Sequence, residues 1–159
     1  MNEGRILQHG KPKDIYTKPK TKFVGSFIGS PAMNFMDGKI SGISDQAVEF
    51  ELHSKQKIKV PCKPGERAAT GSLIKAGVRP EHLELAGESD AILKGEVFAV
   101  ERLGGETYLY VQTEQNKELT VHATGDKIVS VGDSVSIGFP PESCHLFDGQ
   151  GQVFEKLAA

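Results

Sequence analysis

Tryptophan is absent from this chain, and aromatic residues make up only 7% of it. A core short of large rings has to be filled by Val, Ile, Leu and Phe, side chains that suit a pleated, half-buried surface. Cysteine is nearly absent as well. Cys62 and Cys144 are too few for a disulfide framework and neither belongs to a C-x-x-C pair, so both are expected as reduced thiols. The five histidines (His9, His53, His82, His122 and His145) show neither i,i+4 pairing nor the Cys/His spacing of a zinc site, and no metal is expected. No apolar run approaches the roughly 18 residues of a membrane-spanning helix, and no signal-peptide core follows Met1, so a soluble chain is expected.

Catalytic strings are missing too. There is no G-x-x-x-x-G-K-[ST] loop to cradle a phosphate, and Gly104-Gly105 is followed by Glu106, whose charge would repel one. There is no G-x-S-x-G elbow for a serine nucleophile. Cys144 and His145 are adjacent, and neighbours in a strand point to opposite faces, so they cannot form a local Cys–His pair. No enzyme activity of its own is expected, and no cofactor.

What is present reads as an ordinary globular chain of 159 residues, 38% apolar and 25% charged, long enough for one full core or two small ones. Its 18 glycines and 8 prolines suit many short elements joined by tight turns. The net charge of −2 is unevenly spread. Residues 1–22 carry six basic groups against Glu3 and Asp14, which is +4, so the remainder has 13 basic against 19 acidic groups, or −6. Tyr108 and Tyr110 on one strand face could stack bases, but a nucleic-acid surface needs its basic excess on the folded body, and no nucleic-acid partner is expected.

Residues 1–30 read as a strand at Arg5–Gln8 followed by helical pieces. Pro12 suits a first helical turn and Pro19 a stop. Thr21 is placed to cap a second helix with an apolar stripe of Phe23, Val24, Phe27 and Ile28. From Met33 onward the pattern is of strands: Met36–Ile43 and Ala47–Leu52 around a turn at Ser44-Asp45-Gln46, then Lys57–Val60 and Leu73–Val78. Leu93–Leu103 and Thr107–Thr113 flank Gly104-Gly105, and Leu119–Ala123, Val135–Phe139, His145–Phe147 and Gln152–Phe154 follow. Pro80 is placed to open a short helical turn. Strands at such short spacing predict an all-β fold of small closed barrels of the oligomer-binding (OB) type, with a short α/β leader. A division near residue 88 gives two barrel-sized lobes, Met33–Leu85 and Asp90–Phe154, that share strands.

Three polar clusters are candidates for partner, dimer or regulatory contacts: Arg79, Glu81 and His82 around Pro80; Glu101 and Glu106 at a hairpin tip; and Glu142 and His145 beside Pro141. Loops held by a rigid scaffold are good binding material.

The strings GRILQHGKPKDIY, FVGSFIGSPAMNF, GVRPEHLEL, GEVFAVERLGGETYLYVQ and IGFPPESCHLF occur in that order. In this the chain resembles the C-terminal regulatory (TOBE/OB-type) region of the ATP-binding subunits of maltose- and glycerol-phosphate-class ABC importers. The resemblance marks Pro31, Met33, Asn34, Phe35, Pro80, Gly104, Pro141 and Phe147 as structural positions of the family motifs. It implies that residues 1–30 are the tail of a nucleotide-binding domain, 31–155 the regulatory domain, and 156–159 a cloning scar. The implied role is regulation and dimerisation in sugar or sugar-phosphate import at the cytoplasmic face of the bacterial inner membrane. The implied partners are a second copy, the transmembrane importer subunits through the ATPase domain, and a cytoplasmic regulatory protein. ATP and Mg belong to the full-length parent. The alternative is an OB-type domain that binds a small oxyanion or sugar, for which Ser72, Lys75 and Arg79 are the candidate donors. Ile15, Tyr16, Phe23, Val24, Phe27 and Ile28 would normally pack on the missing domain, and exposing each forfeits roughly 1.5–3 kcal/mol. Residues 1–30 are therefore expected to be disordered or docked on another copy.

Overall fold

The computed structural model describes residues 8, 10–27, 32–53, 55–66, 68–85, 93–113, 118–123 and 129–155. The strand expected from Arg5, the motif position Pro31, Ile28 and the terminal residues 156–159 lie outside them, as do the side chains of Phe23 and Phe27. Two compact units emerge, residues 1–77 with 144–159, and residues 78–143. The division falls at 77/78 and 143/144 rather than near 88, because the last strand of the chain returns to the first unit.

In the first unit the helices α1 (Pro12–Thr17) and α2 (Lys22–Phe27) precede β1 (Asn34–Ser44), β2 (Ala47–Leu52), β3 (Lys57–Pro61) and β4 (Leu73–Val78), and β10 (His145–Phe147) completes a sheet of order β10-β4-β1-β2-β3. In the second unit β5 (Glu84–Leu85), β6 (Leu93–Leu103), β7 (Glu106–Thr113), β8 (Glu118–Ala123) and β9 (Ser134–Gly138) form a sheet of order β5-β9-β6-β7-β8. The pairs β1–β2, β2–β3, β4–β10, β5–β9, β6–β7, β6–β9 and β7–β8 are antiparallel. The two sheets have one plan: a three-strand meander, a fourth strand returning beside the first, and a short edge strand on the fourth.

The short edge strands come from a chain repeat that periodicity alone did not reveal. Gly77-Val78-Arg79-Pro80-Glu81-His82-Leu83-Glu84-Leu85 corresponds residue by residue to Gly138-Phe139-Pro140-Pro141-Glu142-Ser143-Cys144-His145-Leu146. In each copy a fourth strand runs into a Pro-initiated 3-10 turn, Pro80–His82 or Pro141–Ser143, whose proline supplies the fixed φ of a first helical position. Each segment then supplies the edge strand of the other sheet. Glu84 lies opposite Gly138, and its counterpart His145 lies opposite Gly77.

The long strands carry the curvature. β1 is bulged between Ile40 and Gly42, and β6 between Val97 and Ala99, in each case two residues past a glycine. A Cβ on Gly38 would strike the Glu51 carbonyl, and one on Gly95 the Gln112 carbonyl, so neither strand could approach its neighbour with a larger residue. Bulges bend and twist a strand, and the sheets curl into half-barrels. Among the described residues no ladder joins β3 to β10 or β8 to β5.

Ile40, Val48, Phe50, Leu52, Val60, Ala76, Leu146 and Phe147 fill the first core, and Leu83, Val97, Leu109, Val111, Leu119, Val121 and Ile137 the second. The motif positions Met33, Asn34 and Phe147 are buried, and Phe35 meets Phe147 edge-on at 5.8 Å. The leader does not match its expectation. Thr21 caps α2 by accepting the Val24 amide at 3.2 Å, and Val24 is itself buried. Lys22 N–H donates to the Gly151 carbonyl at 2.7 Å and Val153 N–H to the Lys20 carbonyl at 2.9 Å. The described part of the leader is thus docked on its own unit, its Lys20–Lys22 segment exchanging backbone hydrogen bonds with Gly151 and Val153.

Candidate functional site

Antiparallel register decides which side chains share a surface. In the second unit it places Glu96, Gln112 and Glu118 in one row across β6, β7 and β8. Ala99, Tyr110 and Thr120 form the next row, Glu101, Tyr108 and His122 the third, and Leu103 and Glu106 close the hairpin. The alternate residues Val97, Val111, Leu109, Leu119 and Val121 are buried, so these rows are the outer face. The hairpin tip is the expected two-residue Gly104-Gly105 turn, with Gly104 at φ +61, the backbone that a primed hairpin turn demands.

The outer face is acidic and aromatic. Tyr110 OH donates to Glu101 Oε2 at 2.6 Å, and Tyr108 OH to Glu106 Oε2 at 3.2 Å. The Phe98 ring lies 6.4 Å from that of Tyr110, and the His122 ring 5.2 Å from that of Tyr108. Phe98 is 44% exposed and Leu103 54%. The hydrogen bond to Glu101, with desolvation and the field of that carboxylate, holds the Tyr110 phenol above the usual tyrosine range. Desolvation, the bond to Glu106 and the fields of Glu106, Glu81 and Glu101 do the same for Tyr108. Candidates from two separate stretches of sequence, Glu81 and the hairpin pair Glu101 and Glu106, therefore act on one ring. Beside Phe98 the face runs into an open cleft of about 780 Å³ lined by Lys94, Glu96, Gln112, Thr113 and Ser136 among others.

The remaining candidates lie elsewhere. His82 and Glu142 are exposed on the two 3-10 turns. Arg79 is 2% exposed and His145 6%: Arg79 precedes the buried Pro80, and His145 is held in the β10–β4 ladder. Of the oxyanion candidates, Lys75 is ion-paired with Asp37 in the first unit and Arg79 is buried. That unit has an open cleft of about 990 Å³ lined by Lys22, Asp37, His53 and Lys75 among others. Both cysteines are buried and free, and burial pushes the Cys62 thiol up, so it stays protonated at neutral pH. Phe98 and His122 escaped the sequence reading, and only the bulge at Val97/Ala99 and the β7–β8 register bring them to this face.

Two family models match the chain. Residues 76–147 match the TOBE domain and residues 29–83 the MalK OB fold domain. The chain is similar to the maltose/maltodextrin import ATP-binding protein MalK of Yersinia pestis bv. Antiqua (strain Antiqua), with 37% identity over 158 residues, 99% of this chain and 42% of that protein. It is 38% identical over the same span to the protein of that name from Salmonella typhi, covering 42% of it. The chain thus spans less than half the length of these curated relatives. Among solved structures, the cytoplasmic molybdate-binding protein ModG, with molybdate bound, has a TM-score of 0.61 at 18% identity, covering 71% of this chain and 94% of that one. That likeness is one of fold.

Proposed function

Because this chain belongs to the C-terminal OB and TOBE region of MalK-like ABC import ATP-binding proteins, we propose that it is the regulatory and dimer-forming module of an ATP-binding subunit for sugar or sugar-phosphate import. One observation carries this: the similarity runs over 99% of the chain yet takes in only 42% of the relative, and the chain has no phosphate-binding loop string of its own. Its work is then mechanical. Two copies hold each other through their β units, and each keeps the ATPase domain joined to it near its counterpart. The effective concentration of the second domain is set by the tether rather than by bulk concentration. A half-barrel with a packed, mainly apolar core suits that task, since it keeps its shape under load. The transmembrane importer subunits are reached through the ATPase domain, and a cytoplasmic regulatory protein meets the outer surface. The module works at the cytoplasmic face of the bacterial inner membrane.

Light scattering across a dilution series tests the proposal. Twice the chain mass at the top of the series, falling on dilution, is the expected result, and a monomer throughout would overturn it. The cleft of the first unit favours a second reading, a site for a small oxyanion or sugar, since Lys22, Lys75 and His53 line it beside Asp37. Calorimetry with sulfate, molybdate and maltose addresses it: low-micromolar binding there would displace the mechanical role.

A further inference from the structure

Each unit serves as a control for the other. Residues 78–143 hold 5 basic against 12 acidic groups, or −7, whereas the rest of the chain holds 14 against 9, or +5. The contrast is sharpest on equivalent positions of the two meanders. In the first unit the outer rows are Lys39, Glu51 and Lys57, then Gly42, Glu49 and Lys59. Lys39 lies 3.8 Å from Glu51 and Lys57 3.8 Å from Glu49, so this face neutralises itself. Its bulged Ser41 hydrogen-bonds Glu49 at 2.8 Å.

In the second unit Lys39 is replaced by Glu96, Glu49 by Tyr110, Lys57 by Glu118, Lys59 by Thr120 and the bulged Ser41 by Phe98. Among the described residues no Lys or Arg shares these outer rows with Glu96, Glu118, Glu101 and Glu106; exposed Arg102 pairs with Thr107 between two of the rows, and Lys94 lies beyond Glu96 at the cleft. A solvated structural face has no need of this. Like charges raise the cost of folding, and exposed Phe98 and Leu103 leave apolar surface in water. The combination has a use when a cation covers it.

We infer that the outer face of β6–β8 is a docking surface for an arginine-bearing segment of a partner protein. A guanidinium laid over the Tyr108 and Tyr110 rings meets their negative faces, and its planar N–H fork can donate to Glu101 and Glu106 together. Phe98 and Leu103 flank the rings and take the apolar stem of the arginine, which needs cover as much as its head does. A lysine gives a point charge without the stacking plane. A neutral sugar can donate its hydroxyls to the carboxylates but brings no charge to offset theirs, and a phosphate or nucleic acid is repelled by them. The field of the −7 unit steers such a segment inward, so association should weaken with salt. This inference rests on the reading of the chain as a module that meets protein.

The probe is a fluorescent peptide of alternating Arg and Gly, titrated into the whole chain and followed by anisotropy. Binding is expected to weaken about tenfold in Glu101→Gln/Glu106→Gln, and as much in Tyr108→Val/Tyr110→Val, and less than about twofold in the charge-matched control Glu66→Gln/Glu84→Gln. A Lys/Gly peptide should bind more weakly than the Arg/Gly one. Circular dichroism confirms that each variant is folded. Equal losses in the site and control variants would mean that net charge alone attracts the peptide, and would overturn the inference. So would competition by maltose. Light scattering on the same variants separates this claim from the dimer: peptide binding lost with self-association intact supports it, whereas loss of self-association in the Glu variants would name a second copy as the occupant and overturn it. Absence of peptide binding in a chain that still dimerises would sink the docking surface alone.

Discussion

Gly38, Ile40, Ser41 and Gly42 bend the long strand of the first unit at the same step at which Gly95, Val97, Phe98 and Ala99 bend that of the second. The fourth strands run into matching Pro-Glu turns, and the edge strands pair in matching register. What differs is what each plan is used for. The first unit covers its outer face with Lys–Glu pairs and docks α2 and the leader on its flank. The second leaves a face of tyrosines and carboxylates uncovered. Scaffold positions are alike where a Cβ or a core methyl would disturb the fold, and they diverge where only solvent or a partner is met. Chemistry is therefore sought where two equivalent positions disagree without a packing reason, as at Ser41 and Phe98.

The edge strands give the largest test of that equivalence. β10 is buried along its length, with Leu146 inside the first core, whereas Leu85 on β5 is only half-buried. Leu146→Ala should cost about 3–4 kcal/mol and Leu85→Ala about 1 kcal/mol. Denaturant midpoints measure both, and equal costs would show that the two edges are equally essential. Next come the glycines. Gly38→Ala and Gly95→Ala each drive a methyl into a facing carbonyl and should lose about 1–3 kcal/mol apiece. If one costs nothing, the close approach is not a shared requirement of the plan.

Much of this plan was legible in advance. The strands from Leu73 to Val78, Leu93 to Leu103 and Ala47 to Leu52 follow from apolar residues interspersed with polar ones between glycine, proline and polar turns, and Thr21 and Pro80 announce helical starts by the chemistry of their own side chains. The acidic aromatic face was legible only in parts. Tyr108 and Tyr110 alternate on one strand and can be grouped at sight. Phe98 cannot be, because an unbulged strand through Val97, Phe98 and Ala99 gives no hint that the parity changes there, and a one-residue slip flips every later side chain to the other face. The convergence of Glu81 with Glu101 and Glu106 is tertiary, as a 3-10 turn carries no signal of the strand it packs against. The two-residue β5 was too short for any periodicity. The repeat that supplies both edge strands hides behind substitutions, Arg79 for Pro140 and Leu83 for Cys144, that preserve backbone rather than side chain.

Smaller effects follow from the charges. Lys39→Glu breaks the pair with Glu51 and should cost up to about 1 kcal/mol, while Glu96→Lys at the equivalent position relieves an acidic row and should gain a few tenths, about 0.5 kcal/mol at most. Thermal midpoints at low salt would show the opposite signs, and both differences should shrink in high salt. Two losses of equal size would mean that the rows are not equivalent.

The smallest effect on stability, and the most direct reading of the face, is the titration of its phenols. Tyr108 and Tyr110 are both held above the ordinary tyrosine value of about 10. The charged form is the disfavoured one in the folded chain, so the unfolded chain releases its proton first as pH rises. Any stability tied to the raised values is complete below the ordinary value and is lost as pH climbs through the folded one. At neutral pH both phenols thus remain donors to Glu101 and Glu106, and the face keeps its hydrogen bonds. Phenolate absorbance followed against pH should show Tyr108 and Tyr110 ionising above the ordinary tyrosine range. Glu101→Gln should bring Tyr110 down toward the ordinary value with a smaller shift in Tyr108, whose hydrogen bond runs to Glu106. If Glu101→Gln leaves both titrations where they were, the carboxylate does not govern the ring beside it, and the contrast with the self-neutralised face of the first unit loses its electrostatic content.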